Sequence, residues 1–226
     1  MLLRDIVDQF QRENAGDQVS IALRGSVARG AAVSETADLD LVVLFDDGAV
    51  LPDTLRSDVL PNMPIEKSYV PRREFLTDDK WRWMRFTLAH NGHTIWGTDH
   101  LADLPEPHLG AHCYAHLRNA DEWLEHWQVF WDRDKDYHAI CMWLMKRIVR
   151  SLFESQIMRL NAYSRDIYPC STVAAEAFPD LGSIILGAAQ LAVSPTDNRN
   201  RIAEVTARLS PTLLSLQAEF EKRLLI

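Results

Sequence analysis

Arg24-Gly25-Ser26-Val27-Ala28-Arg29-Gly30, then residues 31–37, then Asp38-Leu39-Asp40-Leu41: this stretch decides the fold. Residues 18–23 (QVSIAL) are short and rich in β-formers, and they run into the Gly-Ser turn. A short helical piece follows, and residues 39–45 (LDLVVLF) form a second strand, closed by Asp46-Asp47-Gly48. Side chains at i and i+2 of a strand share a face, so Asp38 and Asp40 project together while Leu39 and Leu41 turn to the core. Two carboxylates held side by side repel, and a divalent cation relieves that repulsion while gaining oxygen ligands. Gly25 lets the backbone approach a bulky anion; Ser26 adds a hydroxyl, and the amides beyond it face phosphate. A metal beside a phosphate cradle is the equipment of phosphoryl or nucleotidyl transfer.

Working outward, residues 64–70 (PIEKSYV) alternate as a third strand. If it runs beside the aspartate strand, Glu66 joins the same site; Asp58, Glu74 and Asp78 are nearby alternatives. Apolar residues at helical spacing predict a helix over 2–14, and others are expected over 53–60 and from Thr77 to about residue 89. A short extended piece at 93–96 meets Gly97. Composition shifts at Leu104-Pro105-Glu106-Pro107, beyond which every segment reads helical: 110–132, 136–162, 171–178, 181–192, 198–208 and 211–225. The expectation is an α+β chain, with a head of small mixed sheet packed on helices over 1–105 and an all-α helical bundle over 106–226.

Composition narrows the function classes. The chain has 226 residues, 47% of them hydrophobic and 25% charged, as in ordinary globular proteins, which excludes disorder, collagen and coiled coil. No apolar run approaches the ~18 residues of a membrane span. The first residues read as an amphipathic helix rather than a signal peptide, and three scattered cysteines (Cys113, Cys141, Cys170) read as reduced thiols, so a cytoplasmic location is expected. No membrane partner is expected; a net charge of -8 argues against nucleic acid as a partner and fits a cationic small acceptor. Oligomeric state is not legible.

The Gly25-Ser26, spacer and Asp38-Leu39-Asp40-Leu41 pattern resembles the DNA polymerase β nucleotidyltransferase superfamily. The stretch Gly92-His93-Thr94-Ile95-Trp96-Gly97 is similar to the closing motif of such domains. The resemblance covers residues 1 to about 105 and implies one or two Mg²⁺ ions held by Asp38, Asp40 and Glu66. A helical domain behind such a head is similar to the antibiotic nucleotidyltransferases that adenylylate aminoglycosides or lincosamides. That likeness implies ATP as nucleotide donor and a small-molecule acceptor. Leu152-Phe153-Glu154 resembles the helix supplying the general base in kanamycin-type enzymes, which makes Glu154 the candidate base. Gly25, Ser26, Arg29 and Lys67, with Lys146 and Arg150 of the helical half, are the candidate nucleotide-binding residues. The expected reaction moves a nucleoside monophosphate, AMP from ATP, onto an acceptor hydroxyl and releases pyrophosphate. The alternatives are an antitoxin-type adenylyltransferase acting on protein or RNA, and a catalytically silent nucleotide-binding module.

Other features read as structural. Trp123, Trp127 and Trp131 share one helix face, as core residues do. The histidines lack a zinc-ligand pattern, although His112 and His116 are spaced to share a helix face. Arg133 to His138 spells R-x4-H, similar to a ribonuclease motif but short enough to arise by chance. Asp121, Glu122, Glu125, Asp132, Asp134 and Asp136 read as a solvated face.

Overall fold

Leu39–Phe45 is apolar almost without alternation, and such a strand must be covered on both faces. The computed structural model, which describes residues 2–12, 14, 18–30, 38–51 and 64–224, meets that demand. The chain falls into two compact units, Met1–His108 and Leu109–Ile226.

The first unit contains α1 (Leu2–Gln11), β1 (Val19–Arg24), α2 (Gly25–Ala28), β2 (Leu39–Phe45), β3 (Ile65–Pro71), α3 (Arg72–Thr77), α4 (Arg82–Asn91) and β4 (His93–Trp96). The sheet order is β3-β2-β1-β4. β1 pairs antiparallel with β2 and with β4, while β2 and β3 are parallel, so the sheet is mixed as expected. On one face Ile6 and Phe10 of α1 pack with Ile21, Leu23, Leu39, Leu41 and Val43. On the other, Ala22, Val42, Leu44 and Val70 pack with Phe75 of α3 and Leu88 of α4. Leaving both faces solvated would forfeit about 1.5–3 kcal/mol for each large side chain. Buried Asn14 ties the end of α1 to the strand exit: its amide donates to the Val50 carbonyl at 2.9 Å, and the Val50 amide donates back at 2.8 Å. The expected helix over 53–60 lies outside the described residues.

The second unit is helical: α5 (Ala120–Asp134), α6 (Tyr137–Glu154), α7 (Ile157–Leu160), α8 (Ile167–Ala177), α9 (Gly182–Val193) and α10 (Arg199–Leu224). α6 is its axis, burying Ile140, Leu144, Met145, Ile148, Val149 and Leu152. Trp123, Trp127 and Trp131 are buried on α5. Boundaries differ from the sequence reading in several places. Thr77, expected to open a helix running to about residue 89, instead closes α3, and α4 begins at Arg82 after a 3₁₀ turn capped by Asp78. Residues 110–119 form two single 3₁₀ turns instead of the first part of α5, so His112 and His116 share no helix face. The expected helix over 136–162 stops at Glu154, and Asn161, at φ 48°, ends the short α7. The two segments 198–208 and 211–225 are one helix running through Pro211. α8 starts before Pro169 because proline is tolerated in a first helical turn, where its missing N–H has no partner to lose. No helix among the described residues is long and apolar enough to cross a membrane.

Candidate active site

The register of the sheet assembles the site. Asp40 of β2 pairs with Glu66 on parallel β3 and with Arg24 on antiparallel β1, so the three stand in one row across neighbouring strands. Asp38 sits two residues before Asp40, on the same face. One carboxylate oxygen from each of Asp38, Asp40 and Glu66 lies within 4.8 Å of the others, and among the described residues this is the one such cluster of potential metal ligands. Asp38 and Asp40 are half-buried and Glu66 is exposed. Glu66, and neither Glu74 nor Asp78, therefore joins the aspartates. Those two pair with Lys80, at 2.7 and 3.4 Å. The Lys80 contact holds both carboxyls below their ordinary range: through its side chain for Glu74 and chiefly through its backbone amide for Asp78. Asp58 lies outside the described residues.

Like charges about 4 Å apart repel by about 1 kcal/mol in water and about 4 kcal/mol in the partly screened environment of a protein surface. A cluster of this kind is costly unless a cation occupies it. All-oxygen donors fit Mg²⁺, a hard cation that takes carboxylates and completes its shell with water and phosphate.

Gly25 explains why the turn needs its glycine. Its φ of 77° lies in the left-handed region, and a Cβ there would overlap the Asp40 carboxylate oxygen Oδ2. The missing side chain is the space in which Asp40 stands. Ser26 follows, half-buried, in α2. Arg29 reaches back over the turn and donates to the Gly25 carbonyl at 2.9 Å. Gly97, at φ 80°, ends β4 where a Cβ would strike the Val19 carbonyl, which accounts for the glycine of the closing motif.

Of the remaining sequence candidates in the first unit, Lys67 is turned away from the carboxylates. Lys67 pairs with Leu41, one residue out of step with Glu66, so it belongs to the opposite face of the sheet; its ammonium lies 5.3 Å from the Tyr69 ring centre. Lys146 and Arg150 belong to α6 in the second unit, where Arg150 donates to the Arg165 carbonyl at 3.1 Å. Glu154 is 3% exposed. Its carboxylate accepts the Leu117 amide at 2.8 Å, the His116 amide at 3.0 Å and the His116 ring N–H (Nδ1) at 2.6 Å. The expected general base is thus a buried carboxylate with both oxygens committed to holding a 3₁₀ turn against the end of α6. Burial pushes the His116 imidazole below its ordinary value; Glu154 opposes that shift, and Arg165 and Arg150 add to it. No window of sequence contains this pairing, since residues 116 and 154 are far apart in the chain. Arg24 was also missed, although it borders the Gly-Ser turn: its guanidinium lies 3.6 Å from Asp40 Oδ1. Strand alternation puts Arg24 on one face of β1, but facing Asp40 follows only from the register.

Residues 3–80 match the family model described as a nucleotidyltransferase domain, a span containing Gly25, Ser26 and all three carboxylates. The first unit therefore carries a nucleotidyltransferase domain. In fold the chain is similar to spectinomycin adenyltransferase AAD(9) from Enterococcus faecialis, whose crystal structure contains ATP and spectinomycin. The TM-score is 0.59 at 13% identity, covering 94% of this chain and 98% of that one. At that identity the likeness is one of fold. No curated protein matches the chain.

Proposed function

We propose that the protein moves AMP from ATP onto a hydroxyl of a cationic small molecule of the aminoglycoside or aminocyclitol kind and releases pyrophosphate, with Mg²⁺ held by Asp38, Asp40 and Glu66. The convergence of these three carboxylates beside the Gly25-Ser26 turn carries the reading. Bound there, Mg²⁺ would supply charge neutralisation of the triphosphate and polarisation of the phosphorus under attack. The chain's own contribution is positional. Asp38 and Asp40 are fixed by the strand, and Glu66 is fixed against Asp40 by the parallel register. Ser26 and the turn amides present donors to phosphate oxygens. Arg29 braces the turn from outside.

The acceptor class draws support from two observations. The neighbour in fold binds spectinomycin together with ATP. The chain's net charge of -8 attracts cations. The acidic residues of α5 and of the turn after it add little to this, because two of them have structural tasks: Asp132 pairs with Arg199 at 3.0 Å, and Asp136 caps α6 by accepting the Ala139 amide at 3.1 Å.

The test is incubation with α-labelled ATP, Mg²⁺ and a panel of aminoglycosides and spectinomycin, resolved by chromatography. Label in a drug product, with stoichiometric pyrophosphate, is the expected outcome. Label in a protein band, or nucleotide binding without turnover of any panel member, would overturn the small-molecule reading.

A further inference from the structure

The two oxygens of Asp40 face different neighbours. Oδ2 lies against Gly25, in the space a Cβ would fill. Oδ1 faces the Arg24 guanidinium at 3.6 Å, an ion-pair distance too long for a hydrogen bond. Arg24 Nε is buried and has no hydrogen-bond partner among the described residues. A guanidinium has five N–H donors in a fixed fork and is charged at any working pH. Here it stands at the edge of three clustered carboxylates, with its charge set against one of them and a buried donor unused. A residue whose purpose was to lock Asp40 would make a short, two-pronged contact. This one makes a long contact and keeps donor capacity in reserve.

We propose that Arg24 is an exchangeable counter-ion: it neutralises Asp40 in the metal-free protein and turns to an anionic oxygen of the nucleotide's phosphate chain when a divalent cation takes the carboxylate. The inference rests on the reading of Asp38, Asp40 and Glu66 as a metal site. It makes Arg24 a direct ligand of the nucleotide and a competitor of the metal. Cation binding and nucleotide binding are then coupled through one side chain. The metal must displace a positive charge to reach Asp40, and the displaced charge gains a partner once a polyphosphate is present. A residue that merely shaped Asp40 would act in the opposite sense, since its loss would loosen the metal.

The experiment is a Mn²⁺ titration of the full chain by electron paramagnetic resonance, first without nucleotide and then with a non-hydrolysable ATP analogue, on wild type, Arg24→Gln and Arg24→Lys. Thermal melts verify that each variant is folded. Arg24→Gln is expected to bind Mn²⁺ more tightly than wild type without nucleotide, by a factor on the order of ten for a cation removed at this distance. It is also expected to lose most of the tightening that the analogue produces in wild type. Arg24→Lys, which keeps the charge, should stay within about threefold of wild type without nucleotide and fall between the two with it. Unchanged or weaker Mn²⁺ binding by folded Arg24→Gln, or undiminished coupling to the analogue, would overturn the role of Arg24 while leaving the metal site standing. Wild type that takes up no Mn²⁺, or takes up as much after Asp40→Asn, would overturn both.

Discussion

Gly25 is the residue on which the site is most exposed to a single methyl group. Gly25→Ala must hold an L-residue at a φ of 77° and push a Cβ into the Asp40 carboxylate. The backbone alone costs about 1 kcal/mol, and moving Asp40 breaks the spacing to Asp38 and Glu66. We expect Gly25→Ala to lower stability by ~1–3 kcal/mol and to weaken Mn²⁺ binding at least tenfold, read by calorimetry; wild-type affinity would mean that Asp40 is not a ligand. The buried pair His116–Glu154 makes a prediction of another kind. Burial depresses the folded-state pKa of His116 below the ordinary 6.5. The unfolded chain therefore binds a proton near pH 6.5 that the folded chain refuses until lower pH, and stability falls as pH drops below about 6.5 at up to ~1.4 kcal/mol per pH unit. Urea midpoints between pH 7 and 5 should decline more steeply for wild type than for His116→Gln. Equal slopes would show that His116 does not titrate in that window.

Among the elements, the ease of reading followed how local the cause was. β2 was legible because a continuous apolar run flanked by turn residues needs no distant partner to be a strand; β3 was legible from its alternation and β4 from a short extended piece ending at Gly97, signals just as local. The 3₁₀ turns at 111–119 were illegible because the His116 and Leu117 amides are claimed by a carboxylate on α6, a contact no window of sequence contains. α10 was misread for the opposite reason. Pro211 is a local break signal, but the buried stripe Ile202, Val205, Leu209, Leu213 and Phe220 continues across it. The burial of that stripe outweighs the one lost hydrogen bond. Pro211 itself is exposed. Pro211→Ala should thus stabilise the protein by about 1–3 kcal/mol, the difference in helix propensity less proline's restriction of the unfolded chain. A lower urea midpoint would mean that the proline itself is required by the packing around α10.

At the scale of the whole molecule, the sequence reading reached the α+β fold and the mixed sheet, because a Gly-Ser turn and a spaced aspartate pair constrain the topology of the strands between which they lie. It reached Asp38, Asp40 and Glu66 as a group through one assumption, that β3 adjoins β2, and the parallel register meets that assumption. Lys67 sits on the other face of the sheet, and Arg24, which faces Asp40, is a pairing that only the register discloses. The central claim is that these carboxylates act together on a metal-bound nucleotide. Its most direct test is the rate of pyrophosphate release from ATP at saturating acceptor as Mg²⁺ is raised, for wild type, Asp38→Asn, Asp40→Asn and Glu66→Gln. The account predicts saturable dependence on Mg²⁺ in wild type and a fall of roughly a thousandfold or more for each amide variant, several kcal/mol of transition-state stabilisation. Folded amide variants that turn over at the wild-type rate would contradict it.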